Sequence, residues 1–264
     1  MNWFGDLNPI LQALIATTFT WGITLLGALM VCFFKEVNKK ALNTILGFSA
    51  GVMIAASFWS LLLPSIELSE ELGYIAWGLP ALGFIFGGLF VLLSDKFLDK
   101  TLSDKNSIKK DSLKRSILLV SAITLHNIPE GMSIGVAFGG ISSGVSGMTL
   151  IGAIMLAIGI GIQNFPEGAA VSLPLRKEGF SRKKSFFIGQ ASALVEPISA
   201  VIGVILVLAV RSILPILLSF AAGAMITVAA RELLPESISE NKNLSTLGLI
   251  FGFVLMMVLD VALG

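Results

Sequence analysis

The sequence predicts an all-α integral membrane protein, with eight transmembrane helices in a 3+2+3 inverted repeat filling residues 1–264 as one transmembrane domain. Three observations predict it. The first is composition: 55% of the 264 residues are hydrophobic and 13% are charged, and mean hydropathy is +0.90. Soluble domains carry roughly 25% charged residues, so this chain has too little polar surface to wrap a core of its size in water. The second is that eight apolar stretches each reach the length of about 20 residues that crosses the hydrocarbon of a bilayer. The third is that the chain matches itself in three places.

The eight stretches are roughly 10–34, 41–66, 74–95, 115–139, 147–174, 184–209, 212–236 and 245–263. Within hydrocarbon a backbone must satisfy its own hydrogen bonds, so each is predicted as a helix. All of the 18 lysines and arginines except Arg211 and Arg231 lie in the odd-numbered connections between them. Basic loops stay in the cytoplasm, which puts both termini outside. The opening MNWFGDLNPI lacks the basic start of a signal peptide, so the first stretch is expected as a retained helix. The 96–114 connection mixes Lys with Asp and Ser and reads as a cytoplasmic loop.

Helix 2 reads FSAGVMI from Phe48 and then LLLP to Pro64; helix 7 reads FAAGAMI from Phe220 and then ELLP to Pro235. Helix 3 reads LGFIFG from Leu82 and reaches Asp95; helix 8 reads LGLIFG from Leu247 and reaches Asp260 at the same offset. Helix 4 carries HNIPEG (His126–Gly131) and helix 5 carries QNFPEG (Gln163–Gly168). A shift of five spans reverses direction in the membrane, so helices 1–3 relate to 6–8, and helix 4 to 5, as inverted halves. Such repeats are typical of secondary transporters, with the site near the midplane between the halves.

The two motifs carry the chemistry. A charged group at the centre of a membrane helix costs about 2.5–3.5 kcal/mol, and Glu130, Glu167 and Glu196 all lie inside apolar stretches. With nearly all basic residues in loops, a bound cation is the natural counter-charge. His126 and Glu130, four apart, share a helix face, and Asn127 joins them; Gln163, Asn164 and Glu167 repeat the spacing. Imidazole, carboxylate and amide oxygen together suit borderline divalent metals, and two facing carboxylates can bridge two of them. Pro129 and Pro166 free the carbonyls of Leu125 and Ile162 and allow local unwinding. Gly131 and Gly168 are expected to let helices 4 and 5 approach each other. Glu196-Pro197 on helix 6 adds a third buried acid.

Cys32 is the only cysteine, which excludes an internal disulfide and a thiolate metal cluster, and His126 is the only histidine. An intramembrane metallohydrolase is a weak alternative, because the chain has no HExxH. A cation efflux antiporter is the other alternative; eight spans and two PEG motifs argue against it. Net charge is +1, and no nucleic-acid partner is expected.

HNIPEG and QNFPEG, on helices 4 and 5 of eight, resemble the signature of the ZIP (Zrt/Irt-like) divalent metal transporters, and most of all the bacterial GufA-like branch. The resemblance implies zinc as the ion carried toward the cytoplasm, with Fe2+, Mn2+ and Cd2+ also in range, and no organic cofactor. It implies a multi-pass protein of the bacterial inner membrane, surrounded by lipid and paired as a homodimer. It implies a metal site of His126, Asn127, Glu130, Gln163, Asn164, Glu167 and Glu196, joined by Met53 of helix 2. It also matches Asp95, Glu232 and Glu236 to acids of an exit path. Some members of the family have Asp at the position of Asn164, so a second metal position has one charge fewer here.

Overall fold

A computed structural model describes residues 2–33, 39–103, 108–144, 148–209, 211–239 and 241–263. The regular elements among them are all helical. They are α1 (Asn2–Gly5), α2 (Pro9–Phe33), α3 (Lys39–Ala56), α4 (Leu63–Glu71), α5 (Gly78–Ser103), α6 (Ile108–Ser142), α7 (Leu150–Lys177), α8 (Arg182–Ala191), α9 (Val195–Ala209), α10 (Leu214–Val228), α11 (Leu234–Ser237) and α12 (Lys242–Val258). Among the described residues, six continuous helical stretches are long and apolar enough to cross a bilayer: Pro9–Phe33, Lys40–Glu71, Leu150–Arg176, Arg182–Ala209, Leu214–Ser237 and Lys242–Ala262. The other two predicted segments fold as α5, whose apolar part Gly78–Ser94 is shorter, and as α6. Helix enters the 96–114 stretch from both sides, since α5 runs to Ser103 and α6 starts at Ile108.

Polarity is arranged inside out. Phe251 is 68% exposed, and the outer faces of α5 and α12 carry Leu82, Ile85, Leu247 and Ile250. The buried charged side chains among the described residues are Glu130, Glu167 and Glu196. A chain surrounded by lipid gains nothing from hiding aliphatic side chains, whereas acids and amides must be kept from hydrocarbon. The protein is therefore a multi-pass membrane protein. Its polar connections cap the helices they lead into. The Thr149 hydroxyl accepts from the Gly152 N–H at 2.9 Å, and the Asn241 side chain accepts from the Leu244 N–H at 3.1 Å.

The helices pack most closely in four pairs: α3 with α12, α5 with α10, α2 with α7, and α6 with α9. Glycine lies in all four of these contacts. A Cβ on Gly252 of α12 would overlap the Phe48 carbonyl of α3, and one on Gly87 of α5 would overlap the Phe220 carbonyl of α10. Backbone therefore meets backbone, which small residues allow.

Helical regularity departs from expectation. α6 runs unbroken through Pro129, and α7 through Pro166 and Pro174. A mid-helix proline removes one hydrogen bond, and packed neighbours can hold the helix across the gap. The irregularities lie elsewhere. A π turn at Ser57–Leu62 leads into Leu63-Pro64, and another at Ala229–Leu233 leads into Leu234-Pro235. In both, a residue bonds five back: the Leu63 N–H to the Phe58 carbonyl, and the Leu234 N–H to the Ala229 carbonyl. The wider turn takes up the proline that cannot donate. A third π turn, Leu259–Leu263, ends the last helix. The sixth predicted segment is broken by a turn at 192–194, just ahead of Glu196.

Candidate metal centre

α6 and α7 bring the two motifs together at the buried centre of the bundle. Asn127, Glu130, Gln163, Asn164 and Glu196 are each at most 1% exposed. The Gln163 amide of α7 donates to Glu130 Oε1 of α6 at 2.6 Å. The Asn164 amide donates to Glu196 Oε1 of α9 at 2.8 Å, and the Asn127 amide donates to the Ser192 carbonyl at 2.9 Å, in the turn that breaks the sixth segment. The six-residue motifs thus meet each other and the third acid directly.

Each amide commits its nitrogen to protein and leaves its oxygen. Asn127 Oδ1, Glu130 Oε2, Gln163 Oε1 and Asn164 Oδ1 are buried without a hydrogen-bond partner. A buried acceptor left unpaired costs about 1–3 kcal/mol. Four such oxygens come from the two motifs. Among the described residues, no three Asp, Glu, Cys or His side chains close a cage by themselves. Three of the four unpartnered oxygens belong to amides and one to a carboxylate.

Glu167 is placed differently. It is 7% exposed and lines a cavity of about 510 Å3 with Leu46, Pro174, Arg231, Glu232 and Glu236. That cavity lies at the end of the bundle where α3 begins, α7 ends and α11 ends. Glu232 and Glu236 therefore share a cavity with Glu167 of the second motif. Met53 is buried in the apolar core, and its carbonyl accepts from Ser57. The side chains of His126 and Asp95 lie outside the described residues.

Two features of the site are absent from the sequence reading. Thr20 of α2, fully buried, donates its hydroxyl to Glu196 Oε2. The signal was there, since Thr17, Thr20 and Thr24 repeat at helical spacing in an apolar stretch and all three are buried. At the other end of the bundle, Ser60 donates to Asp260 Oδ1 at 2.7 Å beside a cavity of about 220 Å3. Asp260 Oδ2 is buried there without a partner.

The motif glycines correct an expectation. Gly131 lies against the Glu196 backbone of α9, and Gly168 against the Thr24 carbonyl of α2. They let the motif helices press on α9 and α2 rather than on each other. Across α6–α7 the Gln163 amide bonds to Glu130.

A family model described as ZIP Zinc transporter matches residues 100–260 of this sequence. The chain belongs to the ZIP family. Relatives cover most of its length. It is 38% identical to "Zinc transporter ZIP11" of Homo sapiens, over 97% of this chain and 98% of that one. It is 34% identical to "Zinc transporter GufA" of Myxococcus xanthus, over 95% and 98%. It is 36% identical to "Zinc transporter ZIPB" of Bordetella bronchiseptica, over 91% and 78%. The ZIP family is one of membrane transporters, not enzymes, and both motifs fall within the matched region.

Proposed function

We propose that this ZIP protein carries a divalent transition metal, zinc foremost, across the membrane and toward the cytoplasm through a site between α6 and α7. The observation that carries this reading is the set of four buried, unpartnered oxygens on Asn127, Glu130, Gln163 and Asn164. The site takes Glu130, Gln163 and Glu167 as its central ligands, with His126 and the two asparagines around them. Oxygen and imidazole donors of this kind accept zinc, and also Fe2+, Mn2+ and Cd2+. The relatives' names put zinc first. Met53 is a peripheral member of the site, and Asp95, Glu232 and Glu236 mark the exit path.

The reading includes eight spans, an inverted repeat and both termini outside. Its support is the pairing of contacts. Gly252 on Phe48 and Gly87 on Phe220 are the same contact in the two halves, and so are Gly131 on Glu196 and Gly168 on Thr24. The two π turns before Pro64 and Pro235 are a third match. With that orientation the cavity beside Glu167 opens to the cytoplasm, and the cavity beside Asp260 is lined by none of the motif residues. The conformation is then inward-facing. The close pairs form two groups, α2, α6, α7 and α9 against α3, α5, α10 and α12. Movement of one group against the other opens the opposite side. A homodimer is proposed on the resemblance alone, and cross-linking in native membranes tests it.

The test is uptake of radioactive zinc into proteoliposomes of defined orientation. Glu130→Gln combined with Glu167→Gln abolishes uptake if the reading is right. Undiminished uptake by that double variant, or flux only outward, overturns it.

A further inference from the structure

We propose that Ser49 is a positioning residue for transport: its hydroxyl ties α3 to the backbone of Gln163 on α7 and so holds the two helix groups in the conformation seen here. The inference rests on the movement of the two groups proposed above. It names a residue, outside both motifs, that sets the balance of that movement.

Ser49 lies in the FSAGVMI stretch of α3 and is fully buried. A buried hydroxyl needs an acceptor, and a serine or threonine inside a helix can find one in its own preceding turn. Thr17, Ser57 and Ser219 do so, donating to the carbonyls of Ala13, Met53 and Pro215 at 2.7 Å each. Ser49 instead donates to the Gln163 carbonyl of α7 at 3.3 Å. That bond crosses between the two groups, since α7 belongs to one and α3 to the other. Compare the bonds that stay inside a group. Gln163 to Glu130 and Asn164 to Glu196 lie within the first. Ser60 to Asp260, and Ser65 to the Pro215 carbonyl, lie within the second.

The bond sits midway along an antiparallel seam. At one end, Leu46 and Glu167 line the same cavity. About a turn further along, Ser49 meets Gln163. Beyond them, Val52 Cγ1 lies 3.7 Å from where a Cβ on Gly159 would stand. Ser49 therefore holds the backbone of the residue whose side chain bonds Glu130. The matched stretch FAAGAMI has Ala221 in the place of Ser49. Ala221 is fully buried in α10, which packs on α6. That seam has no hydroxyl to offer at the matched point. When one group rocks against the other, the two seams of an inverted repeat exchange roles. A tie on one seam and none on its mate weights the exchange toward the conformation in which the tie is made.

The test is labelling by a membrane-impermeant maleimide in proteoliposomes of defined orientation, without added metal. Cys32, the only cysteine, is first replaced by alanine. Ala170→Cys then reports opening of the cavity beside Glu167, and Ala153→Cys reports opening of the cavity beside Asp260. The ratio of the two rates follows the balance of conformations wherever that balance lies. Ser49→Ala should raise labelling at 153 relative to labelling at 170 about threefold, the population change that one long neutral hydrogen bond supports. Ser49→Thr, which keeps the hydroxyl, should leave the ratio within about 1.5-fold of the parent. An unchanged ratio in Ser49→Ala, or a shift the other way, would overturn the inference. So would Ser49→Thr shifted as far as Ser49→Ala, or a lowered melting temperature with the ratio unmoved, which is what a purely structural serine would give. Labelling of both cysteines from the same side is a separate result: it overturns the two-sided movement itself, and the inference with it.

Discussion

Glu130 and Glu167 hold the same place in two copies of one motif, yet their surroundings differ. Glu130 is fully buried and bonded to Gln163 across the helix pair. Glu167 is 7% exposed and opens onto a cavity of about 510 Å3 shared with Glu232 and Glu236. The spacing is equal, and packing makes the surroundings unequal. One acid is enclosed and bonded, and the other faces a cavity. The same lesson holds for the two helices they press against. Gly131 meets α9 at Glu196, whereas Gly168 meets α2 at Thr24.

Four measurements break or sharpen this comparison. The largest effect is expected when both acids lose their charge: Glu130→Gln with Glu167→Gln should lower zinc uptake at least about a hundredfold, as cation ligands in a low-dielectric site demand. The single variants then separate the roles. Glu130→Gln should weaken zinc binding at equilibrium, and Glu167→Gln should slow release into the vesicle more than it weakens binding, read by stopped-flow with a zinc dye. Equal effects on both would erase the distinction. Next is zinc itself. At a hundredfold excess over its Kd, it should stabilise the folded chain by about 2.7 kcal/mol, seen as a raised melting temperature that chelation reverses. The double variant should show no such shift. Third, Gly131→Ala and Gly168→Ala should each destabilise the fold by about 1–3 kcal/mol through overpacking, measured by denaturation in detergent. Similar values would support matched packing in the two halves. Smallest is Glu232→Gln, which should reduce uptake by less than about threefold, because Glu232 sits at the half-exposed wall of the cavity.

Much of this was legible beforehand, for identifiable reasons. The apolar stretches mark helices because hydrocarbon leaves the backbone no other partner. The acids of HNIPEG and QNFPEG stand out because a membrane interior makes any charge conspicuous. FSAGVMI and LGLIFG were legible as repeat segments, and their glycines lie where α3 and α12 meet. Other features were not legible. Proline in the motifs suggested loosened helices, but the loosening lies in π turns before Pro64 and Pro235 and at 192–194. A proline reports a missing donor, and neighbouring helices decide how that loss is absorbed. Thr20 was passed over because a threonine inside a membrane helix can bond its own preceding turn. Its bond to Glu196, 176 positions away, belongs to no local pattern.

The sequence by itself determined the class of the molecule, the helix pair that carries its chemistry and the kinds of atoms that pair can offer. Composition, length and spacing are properties of single segments, and hydrocarbon enforces them one segment at a time. Only the tertiary structure decided how those atoms are spent: Gln163 on Glu130, Asn164 and Thr20 on Glu196, and four oxygens left unpartnered. Each amide and hydroxyl has several partners within chemical reach. Which of them it meets depends on where α2, α6, α7 and α9 lie against one another.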